Sequence, residues 1–236
     1  MIKNNIGIIC AMSVELEAIR QMMDSYETKL IGTRTFYEGT INNQNIVLVQ
    51  CGIGKVNAGV TTALLCENYQ PSLIINCGVA GGYSEVLKPL DVVIADRVFY
   101  YDVDVTFGDY SFRYGQIQGE ELYFECSDLL KNILENKEID VRCHIGSIMT
   151  SDKFASDRDY LTYHIEKYFN DTKVFAVDME SAAVGQVACQ YKTPFIIIRS
   201  ISDVVGINQE HTYTNFLDRA CYNASCIVSL LLENIK

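Results

Sequence analysis

Four charged residues stand where apolar segments of the chain give out: Glu15, Glu180, Arg199 and Asp203. Glu15 follows the run IGIIC and opens the helical pattern SVELEAIRQMMD. It shares a face there with Ala18, Ile19 and Met22, whereas Glu17 faces Arg20 in an ordinary solvated arrangement. Glu180 repeats the pattern, lying above Ala183, Val184 and Val187, while Asp178 points toward Ser181 and Ala182. In PFIIIRSISDV, period-two alternation puts Arg199, Ile201 and Asp203 on one face. An Arg and an Asp leaving an aliphatic strand together need partners or a ligand, because an unpaired buried charge is strongly disfavoured. Plainer readings exist. A first-turn Glu complements the helix dipole, Asp203 can cap a helix or pair with Arg199, and Met12 and Met179 suit a core. Three acidic groups at strand ends favour a shared ligand site without naming a reaction.

The elements that must position these residues alternate. IGIIC (6–10), 72–82, 91–105, 142–154, 173–177 and 194–204 read as strands. Helical patterns start near Ser13 and cover 54–69, 120–136, 156–169, 180–191 and a long final stretch from about His211. Residues 35–41 and 45–51, joined by a polar Asn-Asn-Gln connection, read as a hairpin. This order indicates an α/β fold with a mostly parallel sheet covered by helices on both faces. With three prolines, no repeat and no linker, residues 1–236 are expected to form one domain.

Bulk properties exclude several functions. A formal net charge of −11 and the lack of a basic stripe argue against nucleic acid as partner. No apolar run approaches the roughly 18 residues of a membrane span, and MIKNNIGIICAM is no signal peptide. A cytoplasmic protein is therefore expected, with no membrane partner. The nine cysteines follow no CxxC spacing, and Cys10, Cys51 and Cys77 sit inside apolar runs as small hydrophobes. The three histidines lack metal-ligand spacing, so neither a metal site nor a Ser-His-Asp triad is expected. CGIGKVNAG fails as a P-loop, with Val49 and Val56 where Gly and Ser or Thr are needed, and Asn57 breaks a GxGxxG reading. What remains is glycine after two strands, where open α/β sheets bind ligands.

GIICAMSVELEAI, CGIGKVNAG, INCGVAGG, VDMESAAV and RSISDV, in this order, resemble the 5′-methylthioadenosine/S-adenosylhomocysteine nucleosidases of the wider nucleoside phosphorylase superfamily. The resemblance spans nearly the whole chain. It implies a three-layer α/β/α sandwich with a twisted central sheet, working as a homodimer without metal or organic cofactor. The implied reaction is hydrolysis of the N-ribosyl bond of 5′-thio-substituted adenosines, with a place in methionine salvage. By position, Asp203 resembles the general acid that protonates adenine N7, and Glu15 the group that activates water, with Arg199 in support. Glu180 resembles the carboxylate that grips the ribose hydroxyls, beside Met179. Phe154 corresponds to the base-stacking aromatic and Ala155 to the backbone that reads the adenine edge. Ser202 and Val79 fall among the substrate-binding positions. Met12, Ile53 and Tyr213 match the lining around ribose and the 5′ tail. Val105 and Phe107 resemble the loop that closes the tail pocket of the neighbouring subunit, and the aromatic residues Tyr100, Tyr101, Phe107, Tyr110 and Phe112 suit an interface or internal packing.

The chain departs from the family pattern at Val79, where a small hydroxyl residue is usual, at Gln118 for proline, at Tyr213 for phenylalanine and at Asp178 for Glu. A phosphorylase is the nearest alternative, but phosphate needs converging cations, and the loop after the first strand offers Glu15 with no Arg before Arg20. A nucleosidase for another 5′-modified nucleoside, or a catalytically weak nucleoside-binding sensor, would suit Val79. Whether 204–210 forms a lid is left open by the residues.

Overall fold

The computed structural model of the chain describes residues 5–107, 111–135, 137, 139–207 and 209–235. Its centre is β1 (Asn5–Cys10), whose near-continuous apolar run suits a strand covered on both faces. β1 lies between β4 (Gln44–Gln50) and β5 (Leu73–Gly82), parallel to both. Alternate side chains of β1 enter different cores. Ile6, Ile8 and Cys10 meet Leu16 and Ile19 of α1 (Ser13–Arg20) and Ala224, Ile227, Val228 and Leu231 of α6 (Gln209–Asn234). On the other face, Ile9 joins Ala58 and Leu65 of α2 (Lys55–Tyr69) and Ala182, Val184 and Ala188 of α5 (Ser181–Gln190). The result is three layers, helix on sheet on helix. Gly7 permits one of these approaches, since a Cβ there would overlap Leu65 of α2.

The sheet is mixed, with the expected parallel pairings at its heart and antiparallel strands added to them. Beside β4 lie β3 (Arg34–Ile41) and β2 (Tyr26–Ile31), both antiparallel to their neighbours. The expected hairpin is β3–β4; β2 was not anticipated, because YETKLI is exposed almost throughout and carries no core-facing alternation. Beyond β5 come β10 (Phe195–Val204), β6 (Val92–Tyr100), β8 (Cys143–Thr150) and β9 (Val174–Asp178). The β5–β10, β6–β8 and β8–β9 pairings are parallel, and β6–β10 is antiparallel. β9 then pairs antiparallel with the end of β5, Gly81 opposite Val177 and Gly82 opposite Ala176. This last pairing closes five strands into a ring. It also sends the chain leaving β9 back along β5, which brings three strand ends together.

Two other expectations change. The helix foreseen over 120–136 reduces to β7 (Phe124–Glu125), an added strand on β6, and the short α3 (Leu129–Leu134). The long strand expected over 91–105 ends at Tyr100. The remaining helix, α4 (Arg158–Tyr168), is capped by the Asp157 carboxylate, which accepts from Tyr160 N–H at 3.0 Å.

Candidate active site

Glu15 is fixed by backbone from two elements. Met12 caps α1, and Glu15 at the third helical position folds back as in a capping box. Its Oε2 accepts from Ala11 N–H at 2.8 Å and Met12 N–H at 2.9 Å, and its Oε1 accepts from Val79 N–H at 3.0 Å. The side chain is therefore tied both to the exit of β1 and to β5. Burial pushes the Glu15 carboxyl above the usual range, against the opposing pull of the Arg199 charge and these three N–H groups.

Arg199 lies beneath, fully buried, opposite Gly78 in the β5–β10 ladder. Its Nε donates to Asp178 Oδ2 at 2.9 Å, and its Nη2 to Asn76 Oδ1 at 2.8 Å and Glu180 Oε2 at 3.3 Å. Asp178 also accepts from Thr150 Oγ1 at 2.6 Å and from the Ser181 hydroxyl. Arg199 Nη1 has no protein partner among the described residues. Glycine at 78 is what admits this arrangement: a Cβ there would lie 2.5 Å from Glu15 Oε1 and closer still to Arg199 Nη1.

Glu180 caps α5 and reaches across to α2, accepting from Gly54 N–H at 2.9 Å through Oε1. Burial first, then Asp178, pushes its carboxyl up to about 7, although Arg199 pulls the other way. Asp203 comes from the end of β10, where the register with β5 shifts between Ile201 and Asp203. Such a bulge turns two consecutive side chains toward one side. Asp203 Oδ1 accepts from Ser202 Oγ at 2.6 Å, and Oδ2 from Gln209 Nε2 at 2.6 Å. Burial raises this carboxyl also, against both hydrogen bonds.

Glu15, Glu180 and Asp203 border a single hollow of about 200 Å³. Three carboxyls raised by burial around one hollow suit proton transfer to a leaving group and activation of water.

The phosphorylase superfamily is matched over residues 5–235. A 5′-methylthioadenosine/S-adenosylhomocysteine nucleosidase of Bacillus thuringiensis (strain Al Hakam) is 36% identical over 234 residues, 98% of this chain and 99% of that one. The chain belongs to the 5′-methylthioadenosine/S-adenosylhomocysteine nucleosidase family. Solved structures of the family agree in shape. The Neisseria meningitidis enzyme in complex with methylthio-immucillin-A has a TM-score of 0.91 at 32% identity, covering 98% of this chain and all of that one. The Streptococcus pyogenes S-adenosylhomocysteine nucleosidase in complex with 5-methylthiotubericidin has a TM-score of 0.90 at 32% identity, covering 100% and 99%. The futalosine hydrolase of Helicobacter pylori shares the fold, with a TM-score of 0.90 at 24% identity, covering 99% of each chain.

Most positions that the family resemblance singles out line this one hollow. Met12, Ile53, Val79 and Met179 border it, as do Phe154, Ala155, Ser202 and Tyr213. The Phe154 and Tyr213 rings stand edge to face with centroids 6.2 Å apart, and Tyr213 Oη donates to Met12 Sδ at 3.5 Å. Arg199 does not open onto the hollow and lies below it. Val105 and Phe107 do not line it within this chain; Phe107 is 90% exposed. Tyr100 and Tyr101 are buried internally, while Tyr110 lies outside the described residues. Asp203 does not pair with Arg199, whose carboxylate partners are Asp178 and Glu180. Sequence reasoning missed Gln209, Lys153 and the lining role of Asp178, along with Asn76 beneath. Asn76 carried a signal, a lone amide inside the aliphatic run LIINC that needs a buried partner. Of the segment 204–210, Asn208 lies outside the described residues, yet Gln209 reaches into the hollow.

Proposed function

We propose that this protein hydrolyses the N-ribosyl bond of 5′-methylthioadenosine and S-adenosylhomocysteine, releasing adenine and the 5′-thio-substituted ribose. The observation that carries the reading is the convergence of Glu15, Glu180 and Asp203 on one hollow. Asp203 is the general acid: desolvation favours its protonated form, which donates to adenine N7 as the C1′–N9 bond breaks. The electron pair of that bond passes into the purine, which leaves neutral. Glu15 takes a proton from the attacking water, whose oxygen bonds to C1′. That water rests against Glu15, with Arg199 supporting the network from beneath the hollow. Glu180 accepts the ribose hydroxyls and fixes the ring against acid and water. Phe154 stacks on the base, Ala155 reads its edge, and Met12, Ile53, Val79, Met179 and Tyr213 enclose the sugar and tail.

Water rather than phosphate is the acceptor. Lys153 is the lone cation lining the hollow among the described residues, and it is exposed. Arg199 is already engaged by two carboxylates. A phosphate dianion would meet three carboxyls instead of converging cations.

Residues 1–236 act as one domain in this reading, and the enzyme is a homodimer. Ile53, at the hollow, is followed on α2 by Val56 and Val60, four residues apart, and all three are exposed, Val56 at 77%. Val105 and Phe107 of a second copy would close the tail pocket there. All nine cysteines are free thiols, as suits a reducing cytoplasm, where methionine salvage would use the reaction. The test is incubation with methylthioadenosine in phosphate-free buffer. Free adenine is expected without phosphate; a phosphate requirement would select the phosphorylase, and analogue binding without turnover the sensor.

A further inference from the structure

Gln209, the first residue of α6, holds two of the groups on which the proposed activity depends. Its Nε2 donates to Asp203 Oδ2 at 2.6 Å and to the Ala155 carbonyl at 2.7 Å. Its Oε1 accepts from Gly206 N–H at 3.4 Å. One amide nitrogen thus bridges the carboxyl assigned to adenine N7 and the backbone carbonyl of the residue assigned to the adenine edge. Chemically, a carboxamide NH₂ offers the same pair of N–H donors as the released purine, whose N7 has taken the proton and stands beside the exocyclic amine. Both acceptors cannot serve the amide and a purine in the same positions.

We propose that the Gln209 side chain is a displaceable placeholder for the aminopurine edge, competing with substrate and product for Asp203 and the Ala155 carbonyl. The proposal rests on the nucleosidase reading of this hollow. The placeholder keeps the buried Asp203 carboxyl and the half-buried Ala155 carbonyl satisfied while the hollow holds no base, and unmet buried acceptors are costly. It also loosens the product: adenine binds against an occupied site, so its apparent affinity falls by the fraction of molecules in which Gln209 has swung out.

The experiment measures adenine binding by calorimetry to the wild type, Gln209→Leu and Gln209→Ala, with the KM for methylthioadenosine alongside. Leu keeps the bulk and removes the hydrogen bonds; Ala removes both, so folding of either variant suffices. Adenine is expected to bind about tenfold more tightly to both, the factor that corresponds to about 1.4 kcal/mol of lost competition. KM is expected to fall in parallel, with kcat unchanged or lower as adenine leaves more slowly. A residue that merely supports the fold, or that itself grips the base, gives unchanged or weaker adenine binding, and that result in a folded variant overturns the placeholder. Failure of the wild type to release adenine from methylthioadenosine would instead count against the enzymatic activity, and the adenine-binding comparison would still decide the role of Gln209.

Discussion

Arg199 and Asp178 form an ion pair sealed from solvent, Nε to Oδ2 at 2.9 Å, between strands that are not hydrogen-bonded neighbours. β10 and β9 flank the end of β5 on opposite sides, and the pair spans it. Because Asp178 takes Nε, the guanidinium plane is set: Nη2 reaches Glu180 and Asn76, and Nη1 stays beside Glu15. The ion pair therefore orients the groups that are assigned to sugar and water.

Replacing Asp178 with Asn removes the main counter-charge without changing the shape. Glu180 is then the only carboxylate bonded to Arg199 and is drawn toward it, away from the ribose. Breaking a buried pair on one side is expected to destabilise by about 3 kcal/mol. Urea unfolding should report that loss, and KM for methylthioadenosine should rise more than kcat falls.

Glycine at 78 is the second point of leverage. Gly78→Ala places a methyl between Glu15 Oε1 and Arg199 Nη1. The two must separate, and the water assigned to Glu15 loses its position. kcat is expected to drop by at least about 100-fold, the scale of a lost general base, while circular dichroism keeps its native signature.

Much of this site was legible because helical and strand periods fix which carboxylates face inward. Glu15 and Glu180 each top an apolar helical stripe, and both are buried. Other parts depend on tertiary closure and leave no local trace. The bulge that sets both Ser202 and Asp203 on the hollow breaks the alternation used to read RSISD. The antiparallel β5–β9 closure follows from no pattern in either strand, so the partnership of Asp178 with Arg199 was hidden. The failed helix over 120–136 shows the same limit: Phe124 is claimed by pairing with Val98 on β6.

The buried carboxyls make stability depend on pH in a definite direction. Glu180 titrates near 7 in the folded protein against an ordinary value of 4.5, so between these values the fold holds more protons than the unfolded chain. Its contribution to stability is complete below about 4.5 and is lost as pH rises through about 7. Glu15 and Asp203 shift the same way. Thermal midpoints should therefore fall across that window, and Glu180→Gln should flatten part of the slope while abolishing turnover. A midpoint that rises from pH 5 to 7 by way of these groups would contradict the assignment.

Val79 tests whether the family departure matters. Its backbone N–H holds Glu15, and its side chain packs against Ala220 and Cys221 of α6. Val79→Ser keeps the backbone contact, so kcat/KM is expected to stay within about threefold or improve. Lost packing should lower stability by about 1 kcal/mol. A collapse of activity would show that the pocket is rebuilt around the valine.

The most direct measurement is a crystal structure of Asp203→Asn with uncleaved methylthioadenosine. The amide cannot deliver the proton, so turnover should fall by about 100-fold or more while binding persists. The expected density has adenine N7 against residue 203, the ribose hydroxyls on Glu180 and C1′ facing Glu15. Density that puts the nucleoside outside this hollow, or turns its ribose away from Glu180 and Glu15, would contradict the account.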